Sequence, residues 1–280
     1  MVTEVKQNRL RYFFILLTIL GLGERCGTSL QMSSSRLAGE IDPSEVITIN
    51  SEVVDFCIDG TRLLFLENSG ARIIAWDTSF ENAETIPIST RILPARGIYA
   101  DRYYIYVYDQ RTLFRIPKDN FLLSAWLNNV RVVGITAYAP AELLISDGER
   151  QRIWLKTMFG ESRVFLDNSE VVRPGALTVF SDGVYGVISD GQRLLNVNRA
   201  GIVLRSITMP QPVDLLASDE KGRAFLMRKG QAILWLVSEH SLSGFVLNGV
   251  NNPIALQCYK RHIYILDNGR RILIYPVPGE

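Results

Sequence analysis

The sequence predicts an all-β fold, a six-bladed β-propeller closed by an N-terminal outer strand. Three observations predict it. First, a strand–turn–strand phrase recurs six times at intervals of about forty residues, a period that belongs to propeller blades. Its turns are Asn68-Ser69-Gly70, Asp109-Gln110, Asp147-Gly148, Asp190-Gly191, Lys229-Gly230 and Asn268-Gly269. Second, each turn opens a further apolar run, as in Arg72-Ile73-Ile74, Arg152-Ile153-Trp154 and Arg271-Ile272-Leu273. Third, the last repeat is one strand short, while one unclaimed strand stands before the first.

Along the chain, residues 1–23 read as an export signal. Lys6, Arg9 and Arg11 form a basic region, Tyr12 to Gly23 an apolar stretch, and Gly21 and Gly23 offer small residues at a cleavage site. The stretch is shorter than the roughly twenty residues of a membrane span. Residues 24–44 are polar and Ser-rich and read as a flexible linker. Within them Cys26 is a candidate lipidation site and membrane tether, because it follows the apolar segment and precedes Gly27 and Ser33-Ser34-Ser35. Arg25 and Glu24, just before it, depart from the small residues that a bacterial lipoprotein carries there. The expected address is outside the cytoplasm, in a bacterial periplasm or on the cell surface.

Residues 45–280 are expected to form the propeller. Val46–Ile49 is the unclaimed strand, and blades follow at 51–90, 91–129, 130–170, 171–209, 210–249 and 250–280. In blade one the strands are expected at Val53–Ile58, Arg62–Leu66, Arg72–Trp76 and Thr85–Ile88. Alternation is weak because each blade is covered on both faces by its neighbours. Blade six stops at Pro276-Val277-Pro278 after three strands, so Val46–Ile49 is expected to pair with its last one and close the ring, removing an exposed edge. Pro94, Pro174, Pro212 and Pro253 stand at the starts of blades, where a missing N–H precedes the ladder.

Apolar residues make up 47% of the 280, ample for a packed core. The net charge of +1 gives no global field for nucleic acid, and none is expected as a partner. Cys57 and Cys258 fall on the innermost strands of adjoining blades. Aligning Leu63–Asn68 on Ile263–Asn268 sets Cys57 level with Gln257, so alternation sends the two thiols to opposite faces and no disulfide is expected.

The phrase Arg261-His262-Ile263-Tyr264-Ile265-Leu266-Asp267-Asn268-Gly269-Arg270-Arg271-Ile272-Leu273-Ile274-Tyr275 resembles the core of an NHL-type blade. The resemblance implies a six-bladed binding platform and names no ligand. A minority of six-bladed relatives are enzymes that hold a metal at the channel mouth. By that resemblance Asp55 and Asp214, the acidic residues on the innermost strands, would be the metal ligands of a hydrolase or lactonase. Two carboxylates fall short of the six or more oxygens that Ca²⁺ takes. The two histidines, His240 and His262, lie off the innermost strands, and no nucleophile elbow, P-loop or CxxC occurs. The expectation is therefore a noncatalytic module without a cofactor, with the hydrolase as the alternative.

Its partner would be another protein or a cell-envelope component. The candidate binding surface is the rim formed by the strand two–three turns and the blade crossings. That rim gathers Arg96, Arg111, Arg150, Arg152, Arg173, Arg193 and Arg270, cations suited to carboxylates. The same residues would also serve as ordinary salt-bridged loops. Tyr99 and Tyr103 are the members of the blade-two tyrosine run expected to reach solvent.

Overall fold

A computed structural model describes residues 36–167, 169–180, 183–239 and 241–279. No α-helix occurs among them. Twenty-five strands among the described residues form six sheets around a central channel. Blade one comprises β3 (Val53–Asp59), β4 (Arg62–Glu67), β5 (Arg72–Asp77) and β6 (Ala83–Pro87), from the channel outward. Blade two comprises β7 (Gly97–Ala100), β8 (Tyr104–Tyr108), β9 (Thr112–Pro117) and β10 (Ser124–Asn128). Blade three is β11 (Val132–Ala139), β12 (Glu142–Asp147), β13 (Arg152–Lys156) and β14 (Ser162–Leu166); blade four is β15 (Pro174–Val179), β16 (Tyr185–Ser189), β17 (Arg193–Val197) and β18 (Val203–Thr208).

Blade five runs through β19 (Leu215–Ser218), β20 (Ala224–Met227), β21 (Ile233–Val237) and β22 (Leu242–Leu247). Blade six contributes β23 (Pro253–Tyr259), β24 (His262–Asp267) and β25 (Arg271–Pro276), and its fourth strand is β2 (Glu45–Thr48). The pairing is antiparallel, with Val46 opposite Leu273 and Thr48 opposite Arg271, so the ring closes as the strand count predicts. Ile49 carries the pairing one step further, donating its N–H to the Arg270 carbonyl, and is 2% exposed.

The six hydrophobic clusters correspond one to one with the six contacts between neighbouring blades. Leu66, Ile98 and Ile105 fill the first contact, and Phe56, Leu266 and Ile272 seal blade six against blade one. Large aliphatic and aromatic side chains dominate these layers because both faces of each sheet are buried. Cys57 packs toward blade two, whereas Cys258 packs in the cluster between blades five and six. No disulfide joins them, as the alternation requires. The channel narrows where innermost strands meet. A Cβ on Gly134 of β11 would stand 2.5 Å from the Gly175 carbonyl oxygen of β15, so only glycine permits that approach.

The segment expected as a flexible linker, 24–44, is not linker throughout. Its Arg36–Ile41 stretch forms β1, a fifth strand laid parallel on β22 of blade five. The five leading residues of β1 are exposed and only Ile41 packs on the core. Backbone pairing to a blade edge holds it, and composition carries no trace of that. Residues 24–35, the signal segment and Cys26 lie outside the described residues.

Candidate functional site

The strand two–three turns are built on acids at the ends of the second strands. Asp267 and Asp147 are fully buried, and Glu67 is 5% exposed. Oδ1 of Asp267 accepts the N–H groups of Asn251 (2.9 Å) and Asn252 (2.6 Å), tying the crossing from blade five to the turn of blade six. Its other oxygen accepts from Arg271. Asp147 accepts the N–H groups of Glu149 and Arg150, the Arg150 guanidinium at 3.0 Å and the Trp154 indole at 3.2 Å. Burial pushes this carboxyl upward, but the Arg150, Trp154 and backbone donors outweigh it and hold the group below its ordinary value. Glu67 pairs with Arg72 (2.5 Å), and Asp190 with Arg193 (3.2 Å).

Those contacts divide the predicted rim. Arg150 and Arg193 are latches within their own turns. Arg152 lies over the Trp154 ring, 5.3 Å from its centroid, with its Nε buried. Arg270 is exposed but stands away from the mouth cavity. Arg96, Arg111 and Arg173 do converge, on a cavity of about 880 Å³ at the mouth of the channel. Arg131 and Lys229 join them there. None of these five cations forms an ion pair with a described residue.

Arg131 was missed by sequence reasoning, although a positional signal was available. Arg96, Arg131 and Arg173 each immediately precede the innermost strand of their blade. The same position holds Glu52, Asp214 and Asn252 in blades one, five and six. All six residues are exposed. At this position arginines over blades two to four therefore face acidic and neutral residues over blades five, six and one, while the rest of the mouth lining adds Asp109, Glu149 and Asp190 on the arginine side and Lys229 on the other. Arg173 projects from a left-handed backbone (φ 46°) just before Pro174, an unfavourable conformation for an arginine.

Below the mouth the channel holds a smaller space of about 150 Å³, bordered by Asp55, Tyr99, Tyr108, Asp214 and Gln257 among others. Asp55 Oδ2 accepts the Ile98 N–H (3.0 Å), linking blade one to blade two. Burial raises its pKa to about 6, while the Ile98 and Phe56 backbone donors and the Lys229 charge work against the rise. Asp214 Oδ2 accepts the Lys229 N–H at 3.2 Å. Tyr99 is half-buried beside this space; its hydroxyl accepts the Ala137 N–H (2.9 Å), and burial pushes its pKa up. Tyr103 is 46% exposed but sits in the strand one–two turn, on the opposite face from the arginines.

The fit of a metal is poor. Among the described residues no group of three or more His, Cys, Asp or Glu side chains is placed to share an ion. Asp55 and Asp214 each already accept a backbone N–H.

No family model matches the chain, and no curated protein matches its sequence. The fold is similar to that of solved propellers. A streptogramin B lyase aligns at 12% identity over 84% of this chain and 88% of its own, with a TM-score of 0.64. A putative gluconolactonase aligns at 13% over 85% and 94%, TM-score 0.63, and the WD40 propeller domain of Doa1 at 12% over 85% and 97%, TM-score 0.57. At such identities the likeness is one of fold, and fold alone does not assign function. The NHL resemblance likewise stays at the level of blade architecture.

Proposed function

We propose that this chain is an exported, noncatalytic binding propeller whose mouth takes a carboxylate-bearing segment of a protein or cell-envelope component. The arginine arc of Arg96, Arg131 and Arg173 carries this reading. Three guanidinium groups from consecutive blades face one cavity, and none of them forms an ion pair with Asp109, Glu149, Asp190 or Asp214, the acids that share its lining. Guanidinium forks bind carboxylates bidentately, and a concave mouth strengthens the field at the ligand. Export rests on the basic and apolar pattern of residues 1–23.

The competing reading is a metal-dependent hydrolase acting through Asp55 and Asp214. The raised pKa of Asp55 in the channel favours it, since perturbed carboxyls cluster at active sites. The shortage of ligands counts against it.

A Glu-rich probe peptide, titrated against the chain and the Arg96→Ala/Arg131→Ala/Arg173→Ala variant, tests the proposal. A charged contact at an interface centre is worth about 2 kcal/mol, so the variant should bind at least about thirtyfold more weakly with its stability nearly unchanged. Asp55→Asn should bind normally, and Asp214→Asn, which removes a negative charge from the mouth, should bind at least as tightly. Equal binding by the arginine variant, or a hydrolytic activity lost in Asp55→Asn, would overturn the reading.

A further inference from the structure

The opposite face of the ring has its own cavity, of about 650 Å³, among the strand one–two turns of blades four, five and six. Phe180 and Cys258 give it an apolar lining together with the partly exposed Val179. Tyr259 and Lys260 border it, with the Lys260 ammonium 5.1 Å from the Tyr259 ring centroid. Among the described residues four basic and two acidic side chains line it, and one of the acids, Asp219, is taken up by Arg223 at 2.6 Å.

The turn beside this cavity has an unusual sequence for its geometry. Tyr259 lies opposite His262, so Lys260 and Arg261 are the two central residues of the β23–β24 turn. Both have left-handed backbones, with φ of 44° and 66°. Two-residue turns of that kind favour Asn-Gly, because a side chain is strained at positive φ. The corresponding turn of blade one puts Gly60 at its first central position. Two strained basic residues here serve no need of the hairpin. Surrounding bonds hold them in place: the His262 ring donates from Nδ1 to the Lys260 carbonyl (3.0 Å), and the Val277 N–H to that of Arg261 (3.0 Å). Backbone strain retained at a cavity is a mark of function.

The far wall is equally fixed. The Ser218 hydroxyl donates to the Val179 carbonyl (2.8 Å) and lies 2.7 Å from the Thr178 hydroxyl, joining blades four and five. Asp219 accepts the N–H groups of Lys221 (3.0 Å) and Arg223 (2.9 Å). A preformed pocket with an apolar floor and cations at its edge suits an amphipathic anion.

We infer that this cavity is a second ligand site, for a small aromatic or apolar acid. The acid group sits against Lys260 and Arg261, and the apolar body lies on Phe180, Cys258 and the Tyr259 ring. This site is separate from the mouth and stands whether or not the mouth binds a partner.

The test uses 8-anilinonaphthalene-1-sulfonate, an aromatic anion that fluoresces in apolar sites, with the full chain. One equivalent should bind to the wild type. Lys260→Asn/Arg261→Gly gives the turn the residues it favours, so this variant should melt at the same or a higher temperature while binding at least tenfold more weakly. The Arg96→Ala/Arg131→Ala/Arg173→Ala variant should bind the probe as the wild type does. Absence of binding, undiminished binding by the turn variant, or loss of binding in the mouth variant would overturn the proposal.

Discussion

Asp55→Asn gives a sharp reading of the channel, because the carboxyl is held away from its ordinary ionisation. Its pKa rises from 3.8 to about 6, chiefly through burial. A folded pKa above the unfolded one means that the native state prefers the proton. The resulting stability is complete below pH 3.8 and is lost as the pH rises through about 6. At full effect this change corresponds to about 3 kcal/mol. The side chain is only half-buried, so about 1–3 kcal/mol is the working range. Asparagine keeps the shape and can accept the Ile98 N–H without a charge. In urea unfolding from pH 4 to pH 8, the variant should match the wild type at the acid end. It should gain about 1–3 kcal/mol above pH 7, or about 2–4 °C in melting temperature for each kcal/mol. A variant less stable than the wild type at pH 8 would refute the reasoning, since it would mean that the native state stabilises the Asp55 charge.

Two further outcomes follow from the packing. Deleting residues 45–50 opens the edge of β25 and removes the buried Ile49, whose truncation alone costs about 2–5 kcal/mol; an unchanged urea midpoint would show that β2 does not hold the ring closed. Asp267→Ala strands two backbone N–H groups and Arg271, at about 1–3 kcal/mol for each buried donor left unmade. Calorimetry should show it far more damaging than the exposed Arg173→Ala, which should stay within about 0.5 kcal/mol.

Much of the fold was legible because a blade is local. Each turn signal, such as Asp147-Gly148 or Asn268-Gly269, marks a tight β-turn within a single blade, and the missing strand of blade six could be counted. β1 was not legible, because Arg36-Leu37-Ala38-Gly39-Glu40-Ile41 is held by the edge of β22 and has almost no buried side chains of its own. At the site, sequence reasoning found a basic rim but could not sort it. Arg72, Arg150, Arg193 and Arg271 each follow an acid by three to five residues and pair with it. Arg96 and Arg131 have no acid in the five residues before them. That spacing separates these two from the latches by local sequence alone. Arg173 escapes the rule, because it follows Glu170 by three residues and still opens onto the mouth. The Tyr99 hydroxyl depends on the neighbouring blade, and nothing local to Tyr99 predicts its bond to Ala137.

The polarity of the mouth is the strongest reason to look for a ligand there. The position just before the innermost strand is occupied by Glu, Arg, Arg, Arg, Asp and Asn in successive blades. Such variety at one structural position, always exposed, shows that the blade does not need any particular side chain there. A fold indifferent to the residue would have no use for three adjacent arginines that form no ion pair with the acids of the same cavity. The latch arginines differ, because each is ion-paired with an acid of its own turn. The mouth arginines have no such ion pair, and a carboxylate arriving from outside would use their donors. Added salt should accordingly weaken capture of the acidic probe more in the wild type than in the arginine variant, because screening acts on the charges that the variant lacks.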